Sequence, residues 1–430
     1  MPEGSRSRVI AVLILSSLPL PVLADDQTEV GAGNDEAAQL ASGSPLVRSA
    51  ERFINHQTEQ IHDRLLRTET MDAIANRQTC LRHRAGLTSE DKDRLVHQLL
   101  EDPDGPLVNE ADGDLIPGGL RAGVFPALLD DGTDWPKFPQ PFNSAPGSSY
   151  GGHHSYPGGL VVHETFNDLS NLQLAAGYRR VYGNSRHDGL PVVGLGEGHD
   201  IVISRDVTLA APLWHDWAKP MVFQWNADGS EFIELPFGGH GDTDDYGRPG
   251  DSRTGGHHII GIAEAMKRGL APDFVITQAS AHSVPTSGNE FKVVNWLRAG
   301  AILAQIDPVA QGYLVRDSQN HLRLPPLRHL GDIDLVAAGQ LNVLAEYVHH
   351  NISDSDFTLT GPAVAVAQIL IRQLASRYGY DPVDVGRYNR MYRNPVLSYM
   401  SGERLLIMYS QGGMALITRE LDRLRDLGII

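Results

Sequence analysis

The chain has 430 residues with 36 Lys and Arg against 53 Asp and Glu, a formal net charge of −17. Such acidity excludes a protein that coats nucleic acid, because counterion release needs clustered cations. Cys80 is the only cysteine, so neither an intrachain disulfide nor a cysteine-rich zinc site is available.

Arg6 and Arg8 precede the apolar run Val9–Leu15, and a second run ends at Val22-Leu23-Ala24 before Asp25-Asp26. A basic start, a short apolar stretch and small residues before a polar turn define a secretory signal peptide. Pro19 and Pro21 interrupt the stretch, which is short for a membrane span. We therefore expect residues 1–24 to be a signal and the protein to be exported, periplasmic or secreted. No later membrane span is expected.

Residues 25–45 read as a flexible, solvated linker. In 46–149 apolar residues recur at helical spacing (Phe53, Ile54, Ile61, Leu65, Leu66, then Leu95, Leu99 and Leu100). Thr88-Ser89-Glu90-Asp91 supplies capping chemistry. From 101 to 152, Pro, Gly and Asp predict an irregular covering segment. Helical patterns return at 158–181, 205–218, 257–269 and 289–306. Val222–Trp225 and Glu231–Leu235 flank Asn226-Ala227-Asp228-Gly229, which predicts a β-hairpin. A Gly- and Asp-rich loop, 238–256, follows. Helices are expected again around 362–378 and 403–425. The fold class is mostly α with a small β-hairpin insertion and extra N- and C-terminal helices.

The eighteen histidines matter by placement. Of four His-Asp dipeptides, His62-Asp63, His187-Asp188 and His199-Asp200 sit in polar surroundings. His215-Asp216 ends the apolar helical stretch Val207–Trp214 and leads to Lys219-Pro220. An imidazole and a neighbouring carboxylate at a buried helix end can ligate one metal or bridge two, and the lysine can face a bound anion. Upstream, His153-His154-Ser155-Tyr156-Pro157-Gly158-Gly159 leads into a helix that carries His163 one turn in. Downstream come Gly255-Gly256-His257-His258, then His282, then Asp307. Burying several unpaired imidazoles and carboxylates is costly, and metal coordination satisfies them together. His153 and His154 either line the substrate pocket or hydrogen-bond the glycine turn. Asp242, Asp244 and Asp245 read as solvated loop acids.

The lead-in to His163, the His215-Asp216-x-x-Lys219-Pro220 segment and the order His163, His215-Asp216, His257, His282, Asp307 together resemble the HD-domain metal-dependent phosphohydrolase superfamily. The resemblance covers about residues 150–315. It implies a helical HD-type core over 150–322, followed by a C-terminal extension over 323–430. It also implies one or two divalent ions (Mn, Fe, Mg, Zn, Ni or Co), with His163, His215, Asp216 and Asp307 as primary ligands. His257 and His282 correspond to the additional pair of two-metal members, and Asp216 to the bridging carboxylate. His240 and His258 compete with His257 for the third histidine position.

The function expected is hydrolysis of a small phosphoester, a nucleotide or phosphomonoester. Lys219 would hold a nonbridging oxygen, and His153 or His154 would give a proton to the leaving group. The same superfamily holds di-iron oxygenases, the alternative reaction class. A noncatalytic binding protein using the C-terminal extension is the third reading.

Overall fold

The computed structural model describes residues 29–78, 82–108, 118–129, 132–183, 202–232, 234–237, 254–286, 288–326 and 344–430. The expected signal peptide, Cys80, His187-Asp188, His199-Asp200, His240 and Asp242, Asp244 and Asp245 lie outside them. The chain is mostly α, as expected.

The N-terminal helices are α1 (Asn34–Gly43), α2 (Pro45–Glu59), α3 (Arg64–Ala75) and α4 (Ser89–Leu100). Thr88 and Asp91 form the anticipated capping box at the start of α4. Asp63, of the first His-Asp dipeptide, caps α3 by accepting from Leu66 N at 2.8 Å. Residues 34–43 differ from the expected linker. Asn34 is buried, donates to Gln224 Oε1 at 2.6 Å and accepts from Trp225 N at 2.9 Å, so α1 is docked by one satisfied polar anchor.

A short helix, α5 (Gly119–Val124), lies in the covering segment, and then the central helices begin. They are α6 (Gly159–Tyr182), α7 (Arg205–His215), α8 (Lys219–Val222), α9 (Gly256–Lys267), α10 (Pro272–Ala279) and α11 (Glu290–Ala304). Ser204 caps α7 by accepting from Val207 N at 3.2 Å. Helices α9 and α11 pack closely because Gly300 has no side chain: a Cβ there would lie 2.6 Å from Ile262 Cγ2.

The predicted hairpin turn forms, with Gly229 N bonded to Asn226 O at 3.0 Å, and among the described residues its arms meet at the Trp225–Glu231 bridge, where Asn226 N and Phe232 N donate to Ser230 O and Gln224 O at 2.8 Å. Regular antiparallel pairing occurs instead between β1 (Pro236–Phe237) and β2 (Thr254–Gly255), and between β3 (Val315–Arg316) and β4 (Leu322–Arg323). The tip is held from outside, since Asn394 Nδ2 donates to Gly229 O at 2.9 Å and Glu231 is buried against Arg393.

The C-terminal part comprises α12 (Ala345–Ser353), a 3₁₀ turn (Asp354–Asp356), α13 (Phe357–Leu374), α14 (Val385–Tyr388), α15 (Asn394–Met400) and α16 (Gly402–Asp426). Ala345–Tyr378 is long and apolar enough to cross a membrane by length and composition, contrary to the expectation that no later segment would be. The 3₁₀ turn interrupts it with Asp354 and Asp356, and α13 packs along α16.

Two apolar clusters form the core. One joins the N-terminal and central helices; the other is built from the C-terminal helices with Tyr392 and Tyr380 stacked 5.0 Å apart. Tyr156, from the glycine turn before α6, is fully buried in the second. Ser398 Oγ donates to Pro157 O at 2.8 Å, and Arg393 donates to Ser155 Oγ at 3.1 Å. The C-terminal helices thereby grip the His153–Gly159 turn.

Candidate metal centre

Local sequence places each donor at an element end. Gly158 takes a left-handed φ of 83°, and Gly159 passes so close to His154 O that a Cβ would sit 1.8 Å from it. That tight turn starts α6 and aims His163 inward. Pro212 lies inside α7, which ends at His215; Asp216 is its C-cap. His257 stands in the first turn of α9, His282 follows α10, and Asp354 follows α12.

These side chains meet. His163 Nε2 lies 3.3 Å from Asp216 Oδ2 and 3.1 Å from Asp354 Oδ1. His215 Nε2 lies 3.4 and 3.2 Å from the same two oxygens. His257 Nε2 is 2.8 Å from Asp216 Oδ1. One donor atom each from His163, His215 and Asp354 falls within 4.8 Å of the others, and the same holds for His215, Asp216 and His282. His163, His215, Asp216, His257 and Asp354 are buried, while His282 stands at the exposed edge.

The outer nitrogens of three of the imidazoles are hydrogen-bonded by the protein, and that of His163 faces a carboxylate. His163 Nδ1 lies 3.3 Å from Asp356 Oδ1, and His215 Nδ1 lies 2.8 Å from Pro212 O. His257 Nδ1 meets Glu234 at 2.8 Å, and His282 Nδ1 meets Thr254 Oγ1 at 2.7 Å. Such partners fix ring orientation and tautomer, leaving Nε2 of His163, His215 and His257 turned to the Asp216–Asp354 pair. Gly255 makes the Glu234 contact possible, because a Cβ there would lie 2.4 Å from Glu234 Oε2.

Charge follows this geometry. Burial alone would raise Asp216, but His215, Lys219 and His257 hold its carboxyl well below the usual range. Burial is likewise outweighed at Asp354 by His215 and His163. Burial would lower His215, yet Asp216, Glu164 and Asp354 push it up to about 9. Two ionised carboxylates therefore sit among imidazoles in a dry interior. Among the described residues, His215 Nε2, His257 Nε2 and Asp216 Oδ1 are buried without a hydrogen-bond partner. Orphaned buried donor atoms converging on one point fit a divalent cation, and the mixed imidazole and carboxylate set suits Mn, Fe, Zn, Ni or Co.

Of the residues singled out in the sequence, His163, His215, Asp216, His257 and His282 are brought together. Asp307 is not. It is exposed at the end of α11, where its carboxylate accepts from Val309 N at 2.9 Å and Ala310 N at 3.1 Å in an Asx turn. Asp354 stands beside His163 and His215 instead. His258 faces away from the pair and stacks on His282 at 4.4 Å beside Trp296.

Lys219 is buried and donates to both Asp216 Oδ2 and Gly147 O, so it fixes the carboxylate and leaves one of its three N–H bonds for another acceptor. His153 stands 5.0 Å from His163, ring to ring. His154 turns instead toward Asp356 and Glu403.

Sequence reasoning missed Asp354, Asp356, Glu234 and His350, whose ring lies 5.1 Å from His215. One signal was present: His349-His350 followed by Asp354 and Asp356 repeats the pattern of imidazoles and acids at the end of an apolar helix.

No known family matches this chain, and comparison with curated proteins and with solved structures finds no match either. What the structure establishes is a mostly helical protein whose buried His and Asp clusters can hold metal ions.

Proposed function

We propose that the chain is an exported metal-dependent hydrolase of small phosphoesters, of the HD-domain kind that its motifs resemble. The observation that carries the reading is the set of buried, oriented and unpartnered donors around Asp216. Divalent ions bound there would supply Lewis acidity and a water acidic enough to ionise near neutral pH.

The chain's own groups account for the rest. Glu234 keeps the His257 imidazole in the ligating tautomer, and Asp356 faces the outer nitrogen of His163. The ammonium of Lys219 holds Asp216 rigid and turns its remaining N–H to a nonbridging phosphoryl oxygen. His153, half-buried beside His163, is placed to hand a proton to the leaving oxygen. His282 marks the exposed side, where a substrate enters. Export rests on the basic and apolar pattern of residues 6–24, and N-terminal sequencing of protein recovered from outside the cytoplasm tests it.

The decisive assay is phosphate release from a panel of nucleotides and phosphomonoesters by metal-loaded protein, beside Asp216→Ala. Turnover by the wild type that Asp216→Ala abolishes supports the reading. Full activity in that variant overturns it, and oxygen uptake without phosphate release assigns the centre to oxygenation instead.

A further inference from the structure

Beside the centre, on the far side of His163, a second group of donors converges. His154 Nε2 lies 4.0 Å from Asp356 Oδ2 and 3.8 Å from Glu403 Oε1. Asp356 Oδ1 is 3.3 Å from His163 Nδ1. One donor atom each from His154, His163 and Asp356 falls within 4.8 Å of the others. The Tyr156 ring, fully buried, stands 6.1 Å from the His154 ring.

The His154, Asp356 and Glu403 side chains are 3%, 4% and 18% exposed. Among the described residues, both Asp356 oxygens, Glu403 Oε1 and the Tyr156 hydroxyl are buried without a hydrogen-bond partner. Separations of 3.8 to 4.0 Å are too long for hydrogen bonds, which need about 3.2 Å or less, yet suit ligands spread around one cation. The Asp356 side chain is almost wholly buried and that of Glu403 largely so, and carboxylate oxygens in such a place are costly unless a cation is shared among them.

The chain supports this cluster with strain. His154 holds a φ of 49°, a left-handed conformation unusual for a residue with a side chain, at the turn clamped by Ser398 and Arg393. Asp356 and Glu403 come from the 3₁₀ turn and the start of α16, so the position exists only once the C-terminal helices have docked on that turn.

We propose that His154, Asp356, Glu403 and Tyr156 form a separate site for one divalent transition-metal ion, alongside the centre on Asp216 and Asp354. One imidazole with two carboxylates and a phenol suits Zn, Mn or Fe. Asp356 lies between the two sites, with one oxygen 3.3 Å from His163 Nδ1 and the other 4.0 Å from His154 Nε2.

The test is the Zn²⁺ content per chain of the full-length protein after loading and removal of excess metal, for the wild type, Glu403→Gln, His154→Gln and Asp216→Asn. Glu403→Gln and His154→Gln are each expected to carry one Zn²⁺ fewer than the wild type, and Glu403→Asp to regain it. Unchanged content in both Gln variants overturns the proposal, leaving the Asp216 centre untouched. Loss in Glu403→Gln with none in Asp216→Asn supports this site and overturns the main centre. Should either Gln variant fail to fold, Tyr156→Phe, which removes one oxygen from the buried ring, must still weaken retention of that one ion. Wild-type retention in Tyr156→Phe then overturns the proposal.

Discussion

At the scale of single residues, the centre depends on side chains that no ion would touch. Glu234 bonds both the backbone N and Nδ1 of His257, at 2.5 and 2.8 Å. Glu234→Gln removes the carboxylate that keeps the imidazole basic, and we expect metal affinity to fall about 10- to 100-fold with folding intact. Isothermal titration with Zn²⁺ measures it; unchanged affinity would show that the contact is incidental. Glu231 tests burial through pH. It is fully buried, and its pKa is pushed up to about 8 by that burial, against the opposing pull of Arg393. The folded state therefore holds the proton more tightly than the unfolded chain. Its stabilising contribution is complete below about pH 4.5 and is lost as pH rises toward about 8. Glu231→Gln cannot ionise, so its thermal midpoint relative to the wild type should rise between pH 5 and pH 9. A constant difference across that range would contradict the assignment.

At the scale of elements, close helix contacts and buried ion pairs fix where the donors point. Gly300 sits where α9 and α11 meet, and Gly300→Val drives a branched side chain into Ile262. We expect a loss of about 1–3 kcal/mol by chemical denaturation. Glu264 on α9 bonds Arg268 Nε at 2.7 Å and His83 Nδ1 at 3.0 Å, all three buried. Glu264→Ala leaves Arg268 with only Glu69 and Asp72, and the expected cost is about 3–5 kcal/mol. An exposed pair such as Arg425–Asp422 should contribute far less by the same measurement. Most elements were legible in the sequence, because apolar periodicity and caps such as Thr88 act locally. The α1 helix was not, since its composition is polar and its anchor, Asn34, gains meaning only against Gln224 and Trp225. The Asn226–Gly229 turn was legible, but the hold that distant Arg393 and Asn394 have on it was not.

At the scale of the whole molecule, the C-terminal segment is part of the centre. Asp354 and Asp356 arrive from α12 and the turn after it, while Tyr156 is buried among the C-terminal helices. This explains which part of the ligand set could be read in advance. His163, His215, Asp216, His257 and His282 sit beside glycines or at apolar helix ends, where local context marks them. Asp307 shares that local context at the end of α11, yet its neighbours turn its carboxylate onto the backbone. Asp354 lies about 70 residues beyond His282, and only tertiary packing shows that it faces His163 and His215. The net charge of −17 is equally silent about this site, since buried cations and acids pair there independently of the surface.

The central claim is that the buried imidazoles and the Asp216–Asp354 pair bind metal. Elemental analysis of purified, folded wild type, Asp354→Asn and Asp307→Asn tests it most directly. Bound divalent metal in the wild type and in Asp307→Asn, with clear loss in Asp354→Asn, is the predicted result. Metal-free wild type, or full metal content in Asp354→Asn, would contradict it.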